Sequence, residues 1–436
     1  MATGEHDREI LRLALPAFAA LIAEPLYVLA DTAVVGHIGT PELAGLAVAS
    51  SALLTGYAMF IFLAYGTTAA VARLLGAGDE RAAAHQAVQG LWLALVVSVP
   101  LVVAGVAGAG EAVRALGATG AVATNAEVYL RISIAGVPAL LLGLAGIGYL
   151  RGRRDTLTPL LVALGTNVAN LGLELVLINR YGYGIGASAL ATVIAQWIGA
   201  AVYVRRVLVP VRALGVSLLP DPSALRVLGR TSIDLLLRTA ALRAAYTGAT
   251  AVAARIGPAE VAAHEVALSI FLFLALALDA IAIAGQALVA GALGAGTAER
   301  ARSLCRRMVR LGLYAGMAFG FGIVALRPVL PHVFTTDRRV VVLAGFLLWF
   351  VAALQPLNAV VSVLDGVLIG AGDGRYLAAA MAAATTVFVA GAAVVVVVDL
   401  GIGWLWTTFA AFMGARAASL WLRYRSDAWL VATPAR

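Results

Sequence analysis

The chain has 436 residues, of which 62% are hydrophobic and 12% charged, and its mean hydropathy is +0.95. Soluble proteins of this length carry more charge and shorter apolar runs, so a soluble fold is excluded. The formal net charge is +8, yet the basic residues are all arginine and form no patch interleaved with aromatics, which argues against nucleic acid as a partner. One cysteine, Cys305, rules out an intramolecular disulfide and a cysteine-based metal cage.

The N-terminal "MATGEHDREILRL" is mixed in charge, and the apolar run behind it is too long for the core of a cleavable signal. Apolar stretches long enough to cross a bilayer then follow one another. Twelve helical spans are predicted, at about residues 10–36, 43–74, 85–109, 121–150, 157–180, 184–205, 228–254, 261–292, 307–327, 340–370, 376–398 and 402–424.

Span 1 carries Glu24 and Asp31 inside its apolar run, together with Pro16 and Pro25. Each proline removes a backbone hydrogen bond and makes a hinge available there. Asp31 has no basic residue three or four positions away, so an intramembrane carboxylate here points to function. Span 4 brings Tyr129 and Arg131 near its outer end, where membership of an interfacial aromatic and basic belt is the competing reading. Span 5 places Asn170 and Glu174 one turn apart on one face, and span 6 does the same with Thr192 and Gln196. Asp31, Asn170, Glu174 and Thr192 thus share the outer part of one half of the chain. Two carboxylates among amides and hydroxyls suit a proton, because desolvation and mutual repulsion both favour a protonated form. The same oxygens suit Na⁺. Hydrogen bonding between helices is the structural alternative for the amides and hydroxyls.

The second half differs. Asp234 and Arg238 on span 7 are four residues apart and read as an intrahelical ion pair. Arg243 lies on the same span. Asp279 on span 8 and Asp365 on span 10 fall in the inner part of the membrane, either shaping a gate or pairing with Arg238 or Arg243. Tyr129, Gln196, Asp279, Gln355, Asn358 and Asp365 are the candidates to line a substrate cavity.

Arginine distribution sets orientation. With both termini cytoplasmic, 22 arginines lie in inner loops, ends and tails and six in outer loops. The chain also repeats itself at an offset of about 218 residues. "HIGTPELAG" returns as "RIGPAEVAA", "LGAGDERA" as "LGAGTAERA", and "GYLRGRRD" as "GVLIGAGD". Two six-helix bundles in the same orientation follow, covering residues 1–209 and 228–436, with 210–227 as the linker. At the position equivalent to Asp31 the second half has Ala249. Paired bundles around a polar cleft suit alternating access, and no filter-like loop or ring of like charges suggests a pore.

The stretches "PLYVLADTAVVGHIG", "LGAGDERAA", "YLRGRRDTLTP", "ALDAIAIAGQALVAGALGAG" and "QPLNAVVSVLDGVLIGAGD" resemble the multidrug and toxic compound extrusion (MATE) transporters, in particular the DinF-like branch. The resemblance covers essentially the whole chain. It implies an all-α polytopic membrane protein of twelve helices in two lobes, exporting small organic, often cationic and amphiphilic compounds by H⁺ or Na⁺ antiport. It further implies a monomer in the plasma membrane of a bacterium, with no cofactor besides the coupling ion. Asp31 matches the coupling aspartate of the family's first helix, and Asn170 and Glu174 match an asparagine and a carboxylate on the fifth. Thr192 and Tyr129 match less distinctive positions, and Pro16 matches a proline where the first helix bends. The sequence reading settles on a H⁺-coupled exporter in which protonation of Asp31 bends span 1. Its alternatives are Na⁺ coupling and a lipid-linked precursor flippase. No H-E-x-x-H or G-x-S-x-G motif points to an enzyme, and no catalytic residues are assigned.

Overall fold

The computed structural model describes residues 2–181 and 184–430, and among these every regular element is helical. In chain order the α-helices are α1 (Ala2–Gly36), α2 (Thr40–Phe60), α3 (Phe62–Gly76), α4 (Glu80–Ala115), α5 (Gly120–Ser133), α6 (Val137–Gly152), α7 (Leu157–Tyr181) and α8 (Gly184–Ala213). The second half supplies α9 (Pro222–Ile256), α10 (Pro258–Gly294), α11 (Ala298–Leu326), the single-turn α12 (Leu330–Phe334), α13 (Arg338–Gly370), α14 (Gly374–Val397) and α15 (Ile402–Arg425).

All twelve predicted spans are occupied by helix, but two are broken. Span 4 is α5 and α6 joined by one 3₁₀ turn at Ile134–Gly136. Pro138 in the first turn of α6 explains it, since a proline there cannot donate into the preceding turn. Span 2 breaks at Ile61 between α2 and α3, and nothing in the surrounding sequence accounts for that. Among the described residues, nine helical stretches are long and apolar enough to cross a membrane, one of them the interrupted Gly120–Gly152.

Packing divides the chain into two compact units, one of Ala19–Ser232 and one of Met1–Phe18 with Ile233–Arg436. The expected boundary after residue 209 therefore moves outward, and the first 18 residues fall with the second-half helices. The inner end of α1 is tied into that second unit by ion pairs from Asp7 to Arg307 and from Glu9 to Arg300, the latter at 3.2 Å. The segment expected as a linker is held within the first unit. Gln89 of α4 donates to Leu219 O and accepts from Asp221 N, and Trp92 donates to Leu218 O. Asp221 caps α9 by accepting from the backbone of Ser223 and Ala224. These bonds, with that from the Ser223 hydroxyl, hold its carboxyl below the ordinary carboxylate range.

The internal repeat is visible in how each unit is packed. Gly148 and Gly152 of α6 lie on α3, where a side chain on Gly148 would stand 2.7 Å from the Ala64 carbonyl. Their repeat partners Gly366 and Gly370 of α13 lie on α10 in the same way, with the Ala282 and Gln286 carbonyls 2.5 and 2.6 Å from such a side chain. Small residues four apart let two helix backbones approach closely, which is how membrane helices gain packing energy. We predict that Gly366→Leu destabilises the second unit by about 1–3 kcal/mol or more, the usual cost of overpacking. Thermal unfolding in detergent would measure this, and an unchanged midpoint would refute it.

The inner turns repeat as well. After α3, α6, α10 and α13 the chain closes with paired backbone bonds to the last turn, through Gly78, Arg154, Gly296 and Gly372 in the left-handed region. Three of these are glycine. At Arg154 the same turn is made by a residue with a Cβ, a strain of roughly 1–2 kcal/mol.

Candidate functional site

In the first unit, α1, α5, α7 and α8 converge on a buried polar cluster. α1 contributes Asp31, 5% exposed, and α7 contributes Glu174, wholly buried, and Asn170, 4% exposed. α8 adds Ser188, also wholly buried, and the half-buried Thr192. Tyr129 of α5 is buried against the same group, within reach of the Thr192 and Ser188 hydroxyls.

The hydrogen bonds run from helix to helix. Ser188 Oγ donates to Asp31 Oδ1 at 3.1 Å. Tyr27, one turn before Asp31, donates to the same oxygen at 3.5 Å. The Tyr27 hydroxyl also meets Thr192 Oγ1 at 3.4 Å and accepts from the Asn170 amide. That amide donates to Thr192 Oγ1 as well, at 3.1 Å. Glu174 faces the Asp31 carboxyl and Ser188. Neither Glu174 oxygen receives a hydrogen bond from an ordinary donor, and the Asn170 side-chain oxygen is likewise unmatched. Acceptor oxygens buried without donors are costly, and here they crowd a second carboxyl, so the site calls for positive charge.

Four of the residues picked out from sequence as ion-coupling candidates thus stand together, with Tyr129 beside them. Gln196 lies apart from the cluster, packed over Gly136. Sequence reasoning passed over Tyr27 and Ser188. The signal was present, since Tyr27 and Ser188 each lie four residues before a chosen residue and so on its helix face.

The second unit holds a different arrangement. The Arg238 guanidinium pairs with Asp365 of α13, one of the partners expected for that aspartate. Asp234 packs against Gly374. Burial favours the Arg238–Asp365 pair: the two are 8% and 6% exposed, and a buried charge needs its opposite. Asp279 lies near Ser362, Arg238 and Arg416, so two aspartates face two arginines. Arg243 is exposed. Gln355 and Asn358 are buried within α13 packing. Asp365 and Arg416 border a cavity of about 10 Å³ with Ser419, room for a water and not for an organic substrate. Ala249, the repeat partner of Asp31, is fully buried.

Glu24 is exposed. It lies seven residues before Asp31, two turns of helix, and therefore on the same face of α1.

Comparison with known proteins places these features in a family. The MatE family model matches residues 16–176 and 244–397. Protein DETOXIFICATION 44, chloroplastic, of Arabidopsis thaliana is 33% identical over 98% of this chain and 84% of its own length. DNA damage-inducible protein F of Escherichia coli (strain K12) is 29% identical over 98% of this chain and 95% of its own. A solved structure described as MATE in the bent conformation superposes with a TM-score of 0.89 at 23% identity, covering 98% of this chain and 97% of that one.

Proposed function

Because the chain belongs to the MatE family, whose members are multi-pass membrane transporters for the efflux of drugs and toxic small organic compounds, we propose that it is a H⁺-coupled antiporter whose coupling site is the Asp31–Glu174 pair. The observation that carries this reading is the facing of two buried carboxyls, one of which has no ordinary donor. Two buried carboxyls that face one another repel when both are ionised, and a proton held between them relieves that repulsion.

The residues allow a simple cycle. With one shared proton the pair bears one negative charge, held by the Ser188 and Tyr27 hydroxyls donating to Asp31. A second proton neutralises the pair and makes Asp31 a donor, so the two hydroxyls lose the charge they were aimed at. Tyr27 and Asp31 sit on one turn of α1, and Ser188 and Thr192 on one turn of α8. Protonation therefore loosens α1 from α8. Pro25 lies inward of that turn, and Pro16 further still. Each leaves a carbonyl of the preceding turn without its helical partner, which lets the freed outer segment reorient. Cargo leaves outward as the proton enters, and deprotonation toward the cytoplasm restores the first state. The positive-inside bias supports cytoplasmic termini in a bacterial plasma membrane.

Na⁺ coupling has one observation in its favour, the unmatched Asn170 oxygen beside Glu174. Hard cations prefer oxygen ligands, and Na⁺ would have to part the two carboxyls to gather them. Dye efflux from proteoliposomes under separately imposed gradients decides between them. Efflux driven by an inward H⁺ gradient with Na⁺ absent is the expected outcome, whereas efflux that requires Na⁺ refutes H⁺ coupling.

A further inference from the structure

A proton taken up at Asp31 must leave toward the cytoplasm, and the next carboxylate inward along that face of α1 is Glu24. The rise of 1.5 Å per residue sets the two about 10 Å apart along the helix axis. The face that carries Asp31 and Val35 is closed to solvent at both of those residues, yet it is open at Glu24. Glu24 is thus the carboxylate on this face that protein does not cover, two turns inward of the proposed coupling site. α7 runs alongside at both levels: Asn167 donates to Ala23 O beside Glu24, and Glu174, seven residues on, meets Asp31. Tyr57 of α2 faces Glu24, and behind Tyr57 stand Arg151 of α6 and Tyr65 of α3, with Tyr203 of α8 also against Arg151. On α1 itself the neighbours are Tyr27 and Asp31. Beyond Tyr57, Arg151 supplies a buried cation.

We infer that Glu24 is the inward proton acceptor of the transport cycle, receiving through water the proton that Asp31 gives up and passing it to cytoplasmic water. The transfer balances simply. Protonated Asp31 loses its proton to a bridging water, the Glu24 carboxylate takes one from that water, and Glu24 then returns to the carboxylate by releasing it inward. A cation-cargo anchor is the other use for an exposed carboxylate at this depth. Arg151, one side chain beyond Tyr57, opposes a second positive charge there and favours the relay. The inference rests on H⁺ coupling at Asp31, and the test separates the two.

Purified wild-type, Glu24→Gln, Glu24→Asp and Asp31→Asn proteins are placed in liposomes at equal, strongly buffered pH on both sides. A gradient of a fluorescent organic cation drives exchange, and proton movement is followed by a pH-sensitive dye on the trans side in a weakly buffered parallel sample. We expect Glu24→Gln to lower steady exchange about tenfold or more at unchanged half-saturating dye concentration. Millimolar azide or formate, small acids that carry protons in place of the missing carboxyl, should restore the rate, and Glu24→Asp should retain most of it. Wild-type turnover in Glu24→Gln overturns the relay alone, as does weakened dye affinity without azide rescue, which makes Glu24 a cargo contact. Absence of proton movement in the wild type overturns the coupling and the relay together. Wild-type turnover in Asp31→Asn does the same.

Discussion

Asp31→Asn is expected to lower gradient-driven efflux by about 10²-fold or more while the protein still inserts and folds. The substitution keeps the size of the side chain and places an amide where a carboxyl met Glu174. An amide N–H can donate to the unmatched Glu174 oxygens, so the local packing loses little and gains a fixed hydrogen bond. What it cannot do is gain and lose a proton. The variant should therefore sit permanently in the state that protonation normally produces, with Ser188 and Tyr27 no longer facing a charge. Two measurements check this. Thermal unfolding in detergent should give a midpoint at or above that of the wild type. Efflux from proteoliposomes under an imposed pH gradient should fall to the background of empty vesicles. A stable protein that still couples would place the essential proton elsewhere.

The second large effect lies in the other unit. Removing Arg238 alone, as in Arg238→Met, strands Asp365 as a buried carboxylate without its guanidinium. Breaking one side of a buried pair typically costs about 3–5 kcal/mol. The double variant Arg238→Met/Asp365→Leu removes both charges and should recover most of that loss, because two apolar side chains of similar volume replace an ion pair without leaving a charge behind. The readout is a double-mutant cycle on unfolding midpoints, and equal destabilisation by the single and double variants would refute the coupling. Transport discriminates further. If the second unit's charges serve only its packing, the double variant keeps gradient-driven efflux.

Much of the architecture was legible before any coordinates. Span positions follow from runs of apolar residues, and the duplication follows from glycine-bearing motifs at constant offset. Those same glycines prove to be the contact points, Gly148 and Gly152 on α3 and Gly366 and Gly370 on α10. The breaks at Ile61 and at Ile134–Gly136 were not anticipated, since hydropathy is blind to a helix that pauses within an apolar run. The division between units was misplaced because it depends on which helices Asp7 and Glu9 find as partners, a tertiary fact with no local signature. At the buried polar cluster the carboxylates stood out because charge in an apolar helix is rare. Tyr27 and Ser188 did not, because hydroxyls are ordinary in membrane helices and acquire meaning only when one finds Asp31. The Arg238–Asp365 pair was legible only as one option among two arginines, because helical periodicity ranks neighbours on one helix and cannot weigh a buried partner on another.

The glycine seams also bear on where the molecule has give. Where α6 lies on α3 and α13 on α10 with backbone almost against backbone, neither pair can slide without driving carbonyl oxygens into Cα atoms. Each unit therefore has a stiff spine, and conformational compliance is left to whatever lies off it. In the first unit that is chiefly the outer part of α1, which is weakened by Pro25 and carries the buried Asp31. A protein built this way concentrates the strain of any change at Asp31 on one slender element instead of diluting it through the whole bundle.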